Sequence, residues 1–131
     1  MVSKTNKTSK KKKKLQPVVS GNVYIQSSFN NTIVTVTDEK GGVIAWASAG
    51  SIGFKGSKKS TPYAASLAAS AAIEKAKLRG LRKSSIYISG VGSGRDSAIR
   101  AFHSANIDVD KIVDVTPMAH NGCRRKKTRR V

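Results

Sequence analysis

Thirteen of the twenty-five Lys and Arg residues in this 131-residue chain sit at its two ends, seven between Met1 and Gln16 and six between Arg124 and Val131. Neither stretch contains an acid. Charge of one sign at that density repels itself and resists burial, so neither end can contribute to a core. Folding is confined to Pro17–Cys123, where twelve basic residues are balanced by seven acidic ones. The roughly 105 residues left give room for one domain with one modest core. The chain therefore divides into a basic arm, disordered when free, over residues 1–16, a globular domain over 17–119 and a basic tail over 120–131.

A formal net charge of +18 with this distribution points to a polyanionic partner. Each Lys or Arg that neutralises a phosphate releases a condensed counterion, which makes nucleic acid the natural partner for such arms. A membrane surface fits poorly, because Lys10, Lys11, Lys12, Lys13 and Lys14 form an unbroken run with no interleaved apolar face. One cysteine, Cys123, excludes an intramolecular disulfide and fits a reducing compartment. No apolar stretch has transmembrane length, and the lysine-rich start lacks the apolar segment of a secretory signal. The expectation is a cytosolic protein, or the mature form of an organellar one. The Asn-x-Thr matches at Asn6 and Asn30 are then chance.

After Pro17 the composition turns β-branched and aromatic. Val23–Ile25, Thr32–Thr37 and Val43–Trp46 read as three strands, with turns at Asn30-Asn31 and Asp38–Gly42, so an antiparallel meander is expected. The loop Gly50–Ser60, with three glycines and three lysines, leads to a helix over Pro62–Arg79. Thr61 is its N-cap, Pro62 its first residue and Gly80 its stop. Seven alanines give this helix high propensity and little volume, so it can lie close to a sheet. Leu67, Ala71 and Leu78 suggest its buried stripe. Lys75, Lys77 and Arg79 near its end can serve the helix dipole alone. Ile86–Ser89 reads as a fourth strand, Asp96–Ala105 as a second helix with Ile99 and Phe102 inward, and Ile112–Val115 as a fifth strand. The order βββαβαβ implies a single layered α/β domain with a mixed five-stranded sheet.

Lys59-Ser60-Thr61 before a helix resembles a nucleotide-binding P-loop, but Lys58 stands where the motif needs glycine, which argues against ATP or GTP. Lys55, Gly56, Lys58 and Lys59 instead suit docking of a phosphodiester backbone at a helix N-terminus. Gly90-Val91-Gly92-Ser93-Gly94-Arg95 follows a strand and opens a helix, yet its glycine spacing is wrong for a dinucleotide fingerprint. A tight turn is the plain reading. The sharper one is that Gly92 and Gly94 let a phosphate backbone approach while Arg95 supplies charge, with Arg100 further along the helix. The acids Asp38, Glu39, Glu74, Asp96, Asp108, Asp110 and Asp114 look like turn and surface residues, with no inward cluster for magnesium-assisted cleavage. His103, His120 and Cys123 are too few for a tetrahedral zinc site. No cofactor, metal or catalytic residue is expected.

Asp114-Val115-Thr116-Pro117-Met118-Ala119-His120-Asn121-Gly122-Cys123-Arg124 closely resembles the signature of bacterial-type small-subunit ribosomal protein eleven. Gly53–Ala65 and Gly92–Ala101 look like that family's two other characteristic blocks, in family order, and the match covers roughly Gly21 to Val131. The resemblance implies a domain in the platform of the small ribosomal subunit, bound to its ribosomal RNA, close to the messenger path near the exit site, beside neighbouring platform proteins. It implies no catalysis. It also implies RNA contact for Lys55, Lys58, Lys59, Gly94, Arg95, His120, Asn121, Gly122 and Arg124. The basic run Arg125, Lys126, Lys127, Arg129 and Arg130 continues that block, with Arg125 and Lys126 where the family commonly has two prolines.

The expectation is a structural constituent of the small ribosomal subunit, cytoplasmic within the ribosome, with an organellar ribosome as the other setting. Messenger RNA is expected nearby; no membrane or small-molecule substrate is expected. The alternative is a free-standing nucleic-acid chaperone or architectural protein, which would share the arms but bind many sequences alike. Aromatic residues number only seven, so base stacking on an exposed aromatic sheet is a minor expectation.

Overall fold

The computed structural model describes residues 16–130, so the Lys10–Lys14 run lies outside the described residues. Strands β1 (Ser20–Ser27), β2 (Thr32–Asp38) and β3 (Val43–Ser48) form the expected antiparallel meander. Helix α1 (Pro62–Leu78) then crosses the sheet to β4 (Lys83–Ser89), and α2 (Arg95–Ser104) leads to β5 (Asp108–Asp114). β4 lies parallel to β1, and β5 parallel to β4, giving a mixed sheet in the order β3-β2-β1-β4-β5.

Both helices cover one face of the sheet and pack on each other. Alternation along β1 and β2 sends Val23, Ile25, Val34 and Val36 to that face, where they meet Ala69, Ala72, Ile73 and Ala76 of α1 and Ala98 and Phe102 of α2. Phe102 is the largest fully buried side chain.

The α1 boundaries follow the sequence punctuation. Thr61 Oγ1 accepts the Ala64 N–H at 3.3 Å, and Gly80 takes the left-handed conformation at φ +88°. The expected stripe is corrected. Leu67 is exposed, Leu78 is 88 % exposed and Ala71 only partly buried, while Ala64, Ala65, Ala68, Ala69, Ala72, Ile73 and Ala76 face the core. A stripe of alanines brings the α1 backbone close to the sheet, and a leucine there would hold it off. β5 starts four residues earlier than the apolar signal, because an edge strand exposed along much of its length tolerates Asp108, Asp110 and Lys111.

Candidate nucleic-acid interface

In this topology β1, β3, β4 and β5 all end on the same side, so their following segments emerge together. Four segments converge there: the β1–β2 turn Ser28–Asn31, the lysine loop ending in a short 3-10 turn at Gly56–Ser60, the glycine turn Gly90–Gly94, and the chain leaving β5. Hydrogen bonds tie them into one surface. The Ser93 hydroxyl donates to Ser60 O at 2.7 Å, Gly92 N–H to Ser27 O at 3.1 Å, Gly90 N–H to the Thr116 hydroxyl at 3.2 Å, and Val115 N–H to Ile88 O at 2.8 Å.

Lys55, Gly56 and Lys58 are exposed on this surface and Lys59 half-buried; none of the three lysines has an ion-pair partner among the described residues. The opposite end of the sheet mixes Asp38, Glu39, Asp108 and Asp110 with Lys40, Arg82 and Lys83, including a 3.7 Å Lys83–Asp110 pair. Positive potential is therefore concentrated where the parallel strands end.

Gly92 and Gly94 need a different explanation from the sequence-based one. Both are buried, and a Cβ on Gly92 would overlap Ser27 Oγ and Ser28 O, while one on Gly94 would overlap Thr32 Oγ1 and the Ala65 methyl. The close approach they permit is to β1, β2 and α1 of this same chain, and no opening at either Cα is left for a phosphate. Gly90, at φ +96°, is the residue whose conformation demands glycine in this turn.

Arg95 is likewise committed within the protein. Its guanidinium donates to Gly90 O at 3.0 Å and to Asp114 Oδ2 at 2.6 Å, and its side chain is 29 % exposed. Asp114 accepts from the Thr116 hydroxyl and, at 3.0 Å, from the Thr116 N–H. These bonds, the Thr116 hydroxyl first and Arg95 after, hold the Asp114 carboxyl at about 2, below its ordinary 3.8. The trio latches the β5 exit to the glycine turn, and so fixes where the tail begins. Asp96 in the first turn of α2 favours that helix's own dipole and opposes an anion there.

Residues 117–130 are exposed throughout and contain no helix or strand. His120, Asn121, Gly122, Arg124, Arg125, Lys126, Lys127, Arg129 and Arg130 all lie on this extension, with Asn121 at φ +57°. Arg100 stands apart from the convergent loops, on the outer side of α2 in a groove of about 550 Å³ shared with Tyr63, Ser66, Ser70 and Lys77 of α1. Lys75 and Arg79 serve the fold, donating to Trp46 O at 3.3 Å and Gln16 O at 3.1 Å. Among the described residues no group of three His, Cys, Asp or Glu could hold a metal ion, and no helix is long and apolar enough to cross a membrane.

Two features of the surface have only a faint sequence signal. The uncovered sheet face presents Tyr24 stacked on Tyr87 with centroids 5.3 Å apart, Lys111 Nζ 5.6 Å from the Tyr87 centroid, and Trp46, 54 % exposed, two strands away. Alternation within β1 and β4 would have found the pair once their register was known. At the convergent end Phe29 is 76 % exposed and Val91 62 %.

A two-layer α/β domain whose cationic loops and tail all leave one end of the sheet belongs to the class of domains with a polycationic surface suited to a nucleic-acid backbone. The family model described as Ribosomal protein S11 matches residues 21–130, and the chain belongs to that family. It is 57 % identical to small ribosomal subunit protein uS11 of Borreliella burgdorferi (strain ZS7) over 124 residues, 95 % of each chain. It is also 51 % identical to the protein of that name from Christiangramia forsetii, over the full length of both.

Proposed function

We propose that the chain is a structural constituent of the small ribosomal subunit, cytoplasmic within the ribosome, and that the carboxyl end of its sheet docks on small-subunit ribosomal RNA. The observation that supports this reading most is the convergence of Lys55, Lys58 and Lys59 with the start of the basic tail on one surface, in a chain of the S11 family. The lysines neutralise phosphates from helices whose base edges are hidden in a narrow groove, and the arms add charge as they order on the RNA. The function is assembly and positioning, with no catalytic step. The platform near the messenger exit path, and neighbouring platform proteins, are the setting the family resemblance implies.

Sedimentation tests this against a free-standing chaperone. The full-length chain is expected to stay with small subunits through a high-salt gradient, because shape-specific contacts survive when counterion release is suppressed. Complete release at moderate salt, with equal affinity for unrelated RNA, would favour the chaperone.

A further inference from the structure

The convergent surface contains an aromatic side chain that the fold holds out of its core. Ser28 fixes the β1–β2 turn: its N–H donates to Asn31 O at 2.8 Å, its hydroxyl donates to the same oxygen at 3.2 Å, and Oγ accepts the N–H of Asn30 at 3.4 Å and of Asn31 at 3.2 Å. On either side of the turn Ser27 and Thr32, paired across β1 and β2, fill the core-side positions and are buried. Phe29 is left at the tip, 76 % exposed, while the aromatic pairs among the described residues involve other rings. With Ser27 and Thr32 occupying the core-side positions at the strand ends, the turn carries Phe29 outside the core.

Gly92 donates its N–H to Ser27 O at 3.1 Å, which ties the glycine turn to the end of β1, so Val91, the residue before it and 62 % exposed, adds a second apolar group at the same end of the sheet. In the same turn as Phe29, Asn31 Oδ1 is shielded from solvent and meets no donor. Ser93 joins the glycine turn to the lysine loop through Ser60 O, so the apolar tip and the lysines belong to the same end of the sheet. An unpaired nucleotide combines an apolar ring face with an anionic backbone, and so fits both halves of the surface at once. A protein partner would need an apolar pocket and a ring of carboxylates to match it.

We propose that Phe29, supported by Val91, stacks on an unpaired base of the RNA to which the convergent surface docks. This rests on the RNA-docking reading above and adds to it a single-stranded contact on a rigid turn. The test uses small subunits assembled with the full-length chain or its variants, with RNA base reactivity read nucleotide by nucleotide. The wild type and Phe29→Tyr are expected to protect one or two unpaired bases. Phe29→Leu should uncover those bases and weaken incorporation roughly tenfold, in line with loss of one base–aromatic stack. The double variant Lys58→Ala/Lys59→Ala should weaken protection broadly without uncovering a single base. Unchanged reactivity in Phe29→Leu, or loss of a neighbouring protein with RNA reactivity intact, overturns the stacking proposal while leaving RNA docking in place. If the wild type protects no RNA at all, the docking reading fails with it. The melting temperature of free Phe29→Leu, expected to match wild type because the ring is exposed, separates these outcomes from misfolding.

Discussion

Gly94 sits where Thr32 and Ala65 leave no space for a side chain, so Gly94→Val must push apart β2 and the first turn of α1. Overpacking of this kind costs about 1–3 kcal/mol, and equilibrium urea unfolding of the free protein should show the loss. RNA need not be present. A wild-type urea midpoint for Gly94→Val would mean that the turn has slack the geometry denies. Glycines before a helix were legible in the sequence as a turn, but which backbone they approach depends on strands far away in the chain, and that is set only by the sheet order. Arg95 shows the same divide, since its partner Asp114 lies nineteen positions on. The Asp114 carboxyl is held at about 2 against an ordinary 3.8, a lowered value, so its contribution to stability is fully present above pH 3.8 and is lost as pH falls towards 2. Asp114→Asn should therefore flatten the acid limb of the stability curve while leaving its course above neutrality unchanged. An acid limb identical to wild type would remove the latch from the account.

Helix α1 shows how element type can be read from sequence when the buried face cannot. Thr61, Pro62 and Gly80 mark both ends through backbone chemistry that is local, so they are legible. The stripe is different, because large apolar residues ordinarily mark a core, and here the closest approach to the sheet is made by alanine. Leu78→Ser should change stability by less than about 0.5 kcal/mol, as for a surface site, whereas Ala72→Leu should cost about 1–3 kcal/mol by forcing the helix off β2 and β3. Unfolding midpoints of the two variants check both; the reverse ranking would restore the leucine stripe. The uncovered sheet face carries a similar lesson. Tyr24 and Tyr87 are far apart in sequence and meet only because β1 and β4 pair in parallel with these two residues opposed. Low aromatic content argued against an aromatic platform, and placement on one face matters more than number.

Over the whole chain, the described residues fix the attachment of one cationic end, the C-terminal tail. The tail leaves β5 directly after Asp114, Val115 and Thr116, which are bonded to Arg95, Ile88 and Gly90, so its starting point is positioned relative to the glycine turn and, through Ser93 and Ser60, the lysine loop. The run Lys10–Lys14 lies outside the described residues, and its role is argued from charge alone. Binding to small-subunit RNA and to an unrelated RNA of equal length, measured across salt concentrations, separates the two. Each phosphate contact contributes about 0.7–0.9 to the slope of log affinity against log salt, so replacing Lys10–Lys14 with glutamine should reduce that slope by up to about four for both RNAs. The ratio of their affinities should hardly change, since counterion release takes no account of RNA sequence. Removing Arg124–Val131 should reduce the slope similarly and also narrow the ratio, because contacts whose starting point is fixed by the latch select among RNA shapes. Thr116→Val, which keeps all six tail cations but removes the hydroxyl bonded to Gly90 and Asp114, should narrow the ratio with the slope intact. An unchanged ratio in both tail variants would leave the two ends equivalent, as charge alone would make them.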